Sequence, residues 1–95
     1  MKLTKPIKAH GEELADLTFR EPTGNDLISC GFPFKMELSA GRSVRVVDTQ
    51  AVAAYISALA GVPPSSVAQL SVIDFTRAMG EVMGFFGDSP SPTPS

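Results

Sequence analysis

Ninety-five residues with a net charge of −2, from eight basic and ten acidic side chains, allow one modest domain and no basic footprint for nucleic acid. A chain of this size buries little more than about 60% of its unfolded surface, so its core will be thin. The single cysteine, Cys30, excludes an internal disulfide, fits a cytosolic compartment and reads best as a small buried apolar residue.

The chain opens with Leu3, Lys5, Ile7 and Ala9 on one parity and Thr4, Pro6, Lys8 and His10 on the other. After a polar His10-Gly11-Glu12-Glu13 turn, Leu17 and Phe19 alternate with Asp16, Thr18 and Arg20. The period of two predicts a β-hairpin over the first twenty residues, with Pro6 placing the first strand at an edge. Lys2, Lys5 and Lys8 are not followed by the apolar run of an export signal, so none is expected.

Thr23 and Asp26 have capping-box spacing, Leu27 and Ile28 follow, and Gly31 can end the turn, which predicts a short helix over 23–30. Phe32, Phe34, Met36 and Leu38 then alternate with Pro33, Lys35 and Glu37. Val44 and Val46 alternate with Ser43 and Arg45 beyond a Ser39-Ala40-Gly41-Arg42 turn, so a second hairpin is expected. Arg42 and Arg45 read as a solvated edge.

The second half is helical. Asp48 is an N-cap, and Val47 with Val52 have the spacing of a hydrophobic staple. Val52, Tyr55, Ile56 and Leu59 form one stripe, and Gly61 with Pro63-Pro64 stop the helix. Ser65 or Ser66 is expected to cap a short turn carrying Val67 and Leu70. Ser71 and Asp74 mark a capping box, stapled by Leu70 and Phe75, and Val72, Phe75, Met79, Val82, Met83 and Phe86 make the stripe of a last helix closed by Gly87. The remainder, 88–95, alternates Ser, Pro and Thr and is expected to be a disordered tail.

The fold class that follows is α+β. It is a small single domain over 1–87, with N-terminal antiparallel hairpins packed on three or four short C-terminal helices, and a Pro/Ser-rich tail over 88–95. The uncharged run from Thr49 to Ile73 is long enough for a membrane span. Pro63-Pro64 and the polar Ser57, Ser65, Ser66 and Gln69 break it, so no membrane association is expected.

Enzyme chemistry finds little support. His10, the one histidine, sits in a turn; Glu12 and Glu13 read as solubilising; Asp48 and Asp74 are accounted for as caps. Metal-ligand spacing and phosphate-binding glycine loops are absent, so no catalytic residue, metal or cofactor is expected. A binding surface remains. Ala51, Ala54, Ser57 and Ala58 give the second-half helix an uncharged face, covered either by a partner or by the chain's own domain. Gly80 and Gly84 each cost about 1 kcal/mol in a helix interior. Close approach of another helix, in this chain or in a partner chain, would offset that, and makes the pair a candidate for self-association.

The segment Leu17-Thr18-Phe19-Arg20-Glu21-Pro22-Thr23-Gly24-Asn25-Asp26-Leu27 resembles the strand, Arg-x-Pro-Thr and Asp-bearing helix of phage tail assembly chaperones of the P2- and Mu-like tailed phages. Ile56-Ser57-Ala58-Leu59-Ala60-Gly61-Val62-Pro63, then Val67-Ala68-Gln69-Leu70-Ser71-Val72-Ile73-Asp74 and Phe85-Phe86, are similar to that family's helix, turn, helix start and aromatic end. The 32–47 stretch matches no pattern of the family.

The resemblance implies a phage or prophage protein of the host bacterial cytoplasm. It would bind and solubilise the long helical tape measure protein, be displaced by tail tube protein, and be absent from the mature virion. It also implies a longer form of the same chain, extended by a programmed ribosomal frameshift. A holdase of this kind needs a reversible apolar surface and accepts a helical client in a groove. The expected client surface is Ala51, Ala54, Tyr55 and Ala58 with Phe85 and Phe86, and a homo-oligomer through Gly80 and Gly84 is expected beside it. The alternative reading is a structural virion or head–tail connector subunit, and a third is a regulatory adaptor for a host protein.

Overall fold

The computed structural model describes residues 1–87, and the expected 88–95 tail lies outside them. The element order is β1 (Lys2–Ala9), β2 (Glu12–Asp16), α1 (Gly24–Cys30), β3 (Phe34–Ser39), β4 (Arg42–Val47), α2 (Thr49–Ala60), α3 (Pro64–Val67) and α4 (Val72–Phe85). The architecture is α+β, with two separate two-stranded antiparallel sheets, β1–β2 and β3–β4.

Both hairpins close through two residues at positive φ, His10-Gly11 in the first and Ala40-Gly41 in the second. The pairing of Ala9 with Glu12 and of Ser39 with Arg42 leaves no room for a longer loop. Such turns follow the right-handed twist of the strands they join. The first turn is therefore shorter than the sequence predicts, and β2 begins at Glu12. Leu17 and Phe19, expected as its strand face, follow it in an extended segment, where Leu17 is buried and Phe19 packs on the core.

The helix caps are local and mostly as predicted. Thr23 and Asp26 make a reciprocal capping box on α1. The Asp48 carboxylate accepts from the N–H groups of Gln50 and Ala51 at the start of α2, and Gly61 ends that helix in the left-handed conformation. Ser71 accepts from Asp74 N–H at the start of α4, but the Asp74 carboxylate does not return the bond; it is used elsewhere. Two further expectations fail. α3 begins at Pro63-Pro64 with no side-chain cap, so neither Ser65 nor Ser66 caps it. Val72 is 82% exposed, outside the buried stripe of α4, which runs through Ala78, Val82 and Met83.

The core joins the two halves. Leu3, Ile7, Ala9 and Leu17 from the N-terminal hairpin and its extension meet Val52, Tyr55, Ile56 and Leu59 of α2, Val62, Val67, and Ala78 and Val82 of α4. α2 is the central element, touching α1, α3 and α4. That position explains its lack of charge from inside the chain: only Thr49, Gln50 and Ala54 along it are exposed. No helix among the described residues is long and apolar enough to cross a membrane.

Candidate binding surfaces and the clasps beneath them

Two buried carboxylates organise the body. Asp74, with none of its surface exposed, accepts from Thr4 N–H with both oxygens (3.0 and 2.8 Å), from Thr4 Oγ1 (2.9 Å) and from Lys5 N–H (3.2 Å). These bonds fall where the β1–β2 register is interrupted, so α4 takes over backbone donors that the partner strand does not use. Burial pushes the Asp74 carboxyl up, but the hydrogen bonds from Thr4 and Lys5 outweigh it, and the group stays below its usual range. Nearby, Arg77 donates to Lys2 O at 2.7 Å. Further along, Gln69 Oε1 accepts from Lys8 N–H at 2.8 Å, and Ser66 Oγ donates to Lys8 O at 2.6 Å. The outer edge of β1 is thus closed along its length by side chains from 66–77.

Asp26 is the second clasp. Arg20 grips it through two bonds (2.7 and 2.9 Å), and Thr23 donates to it from N–H and Oγ1 (2.8 and 3.1 Å). The Arg20 bonds hold its carboxyl far below the usual range, with Thr23 adding to the effect. Asp26 in turn raises the Arg20 guanidinium. Arg20 N–H also donates to Leu59 O, tying the clasp to the end of α2. The two most distinctive sequence segments, Arg20 to Asp26 and Leu70 to Asp74, therefore hold the fold together.

The expected client residues divide. Ala51 and Tyr55 are buried by their own chain, and Tyr55 Oη donates to Gly31 O at 2.6 Å. Phe86 is half-buried, edge-on to Tyr55 at 5.3 Å and within 6.4 Å of Phe34 and 6.3 Å of Phe32. Ala54 is exposed, Ala58 half-buried and Phe85 exposed. Of the six, Ala54 and Phe85 are thus exposed, Ala58 and Phe86 are exposed in part, and Ala51 and Tyr55 are buried. Burial pushes the Cys30 thiol and the Tyr55 hydroxyl up, so neither ionises readily.

Gly80 and Gly84 lie exposed on α4, lining a shallow groove with Arg77, Glu81 and Phe85. A Cβ built at either would meet nothing within 4 Å. Among the described residues no helix makes the close approach that was one of the two explanations for these glycines.

The second hairpin carries a further open apolar surface, one that the sequence did not single out. β3–β4 stands off the body, anchored by buried Pro33, whose carbonyl accepts from Asp48 N–H at 2.9 Å, and by the Phe32, Phe34 and Phe86 rings. The cross-strand pairs put Phe34, Met36, Leu38 and Val47 on one face. Met36 is 61% and Leu38 81% exposed. Arg45 stacks over the Phe34 ring at 4.3 Å on that face. The signal was present in the alternation of Phe34, Met36 and Leu38. What was missing was a reason to expect that no helix would cover it.

Residues 1–87 match the model of a family described as phage tail assembly chaperone proteins, E, or 41 or 14. No curated protein and no solved structure matches the chain.

Proposed function

The chain belongs to the phage tail assembly chaperone family, and from that premise we propose that it binds the tape measure protein in the host cell, keeps it soluble, and yields it to tail tube protein. The observation that supports this reading is the apolar side of β3–β4, where Met36, Leu38 and Val47 stand exposed beside half-buried Phe34. A chain with so thin a core loses free energy by leaving such side chains in water, at about 25 cal/mol per Å². Contiguous exposed apolar surface of this kind marks an interaction site.

On this reading a helical client lies against the hairpin face and reaches the helical body at Ala54, Ala58 and Phe85, with the bare Gly80/Gly84 groove admitting a backbone closely. Tyr55, Ala51 and Phe86 support that surface from below. The chaperone leaves before the particle is complete, so it is missing from the virion.

The test is co-expression with the tape measure protein, with the client's soluble yield as readout. The wild-type chain raises the yield. Ala54→Glu, at an exposed site where glutamate fits a helix, keeps the fold by circular dichroism and loses the rescue. A client that stays insoluble beside the wild-type chain overturns the proposal. Undiminished rescue by the folded Ala54→Glu protein overturns the part assigned to α2.

A further inference from the structure

β3 carries an open edge whose chemistry selects one occupant. The Asp48 N–H to Pro33 O bond and the β3–β4 register fix the alternation of the ladder. Lys35, Glu37 and Ser39 turn their backbone groups inward to β4, and Phe34, Met36 and Leu38 turn theirs outward. Among the described residues no side chain reaches those outward groups. On β1 the corresponding edge is closed by Asp74, Arg77, Ser66 and Gln69. An edge left open in this way is a template for another strand.

We propose that β3 pairs antiparallel with β3 of a second copy of this chain, centred on Met36 opposite Met36, to give a four-stranded sheet β4–β3–β3–β4. Three features of the strand point to this partner. First, hydrogen-bonded pairs must join outward-facing residues, and this register joins Phe34 to Leu38, Met36 to Met36 and Leu38 to Phe34. Second, it sets each Lys35 opposite the partner copy's Glu37 in a close, non-hydrogen-bonded pair on the other face. Third, the neighbouring registers permitted by the same alternation set Lys35 against Lys35 or Glu37 against Glu37. Charge therefore both favours one register and disfavours its neighbours.

β4 lacks this property: pairing two copies about Arg45 sets like charges opposite. The sheet also reaches the number of strands at which a β structure becomes stable in its own right. On its apolar face Phe34, Met36 and Leu38 of both copies form one continuous strip, doubling the surface offered to a client. The interface is small, so the dimer is weak and concentration-dependent.

Analytical ultracentrifugation of the full chain between about 10 μM and about 1 mM tests this. The wild-type protein shifts from monomer to dimer over that range. Lys35→Glu alone and Glu37→Lys alone each weaken self-association by about tenfold or more, since both cross-strand pairs become repulsive. Mixed one to one, the two variants restore a dimer, because an all-acidic strand then meets an all-basic one. Met36→Pro removes an outward N–H without touching the β3–β4 ladder, as edge strands tolerate, and abolishes the dimer. A wild-type monomer at every concentration overturns the proposal. So does wild-type self-association by the single charge variants, or folded charge variants that ignore each other when mixed.

Discussion

The two hairpins are built alike and treated differently. Each closes on a two-residue turn at positive φ ending in glycine, and each alternates apolar and polar side chains. The first is stitched into the body: Leu3, Ile7 and Ala9 are buried, and its outer edge is closed by Ser66, Gln69, Asp74 and Arg77. The second stands clear, holding on through Pro33 and an aromatic cluster. An isolated two-stranded hairpin is marginal in water, so the docked one contributes to stability and the free one draws on it. The difference separates residues that keep the fold from residues available for partners.

The comparison breaks most severely at Asp74. Asp74→Ala removes the acceptor shared by Thr4 and Lys5 and leaves their N–H groups unpaired beside the space that the buried carboxylate filled. The melting temperature is expected to fall on the order of 10–20 °C by calorimetry. A loss comparable to a surface substitution would mean that β1 is held by its apolar side chains alone.

Acid sharpens the same point. Asp26 and Asp74 both lie below their ordinary value of 3.8 in the folded chain. The unfolded chain therefore takes up protons first as pH falls. The stability they confer is complete above the ordinary carboxylate pKa and is lost progressively as pH drops from about 4 through the depressed folded values. Asp26→Asn should lower stability at neutral pH and flatten its decline below pH 4, measured by urea titration across pH. An unchanged slope would place the acid sensitivity elsewhere.

Ser66→Ala is a milder break. It leaves Lys8 O without the donor at 2.6 Å, at a cost of about 1 kcal/mol, or roughly 5 °C in melting temperature.

What could be read from the sequence was what lies within a few residues. The caps at Thr23, Asp48 and Ser71, the stop at Gly61 and the Ala40-Gly41 turn are all set by side chains near the backbone groups they serve. Features that depend on residues distant in the chain are not legible in this way. The alternation of Leu17 and Phe19 predicts a strand that runs past Asp16; in the fold Leu17 is buried and exchanges backbone bonds with Met1, while Phe19 packs half-buried on the core outside the ladder. The polar run His10-Gly11-Glu12-Glu13 suggests a longer turn, because positive φ is uncommon for any non-glycine residue and His10 adopts it here. Asp74 reads locally as a cap, since nothing near it in the sequence connects it with Thr4. The uncharged face of α2 leaves two readings open in the sequence, cover by a partner or cover by the chain's own domain. The folded chain buries Ala51, half-buries Ser57 and Ala58, and leaves Ala54 exposed.

The smallest effect on stability should accompany the largest on binding. Leu38 is 81% exposed on the free hairpin, and its removal creates no cavity. Leu38→Asp should leave the free energy of unfolding within about 0.5 kcal/mol of wild type. It should also weaken client capture on the order of tenfold by placing a charge in the apolar strip. Chemical denaturation and a pull-down on one protein preparation measure both. If Leu38→Asp unfolds the chain, the second hairpin is part of the core and the contrast fails. If it changes neither quantity, the strip is exposed without purpose. The outcome that keeps the two hairpins distinct is a dissociation of the two readouts, the reverse of what Asp74→Ala should give, where binding falls only because the fold has.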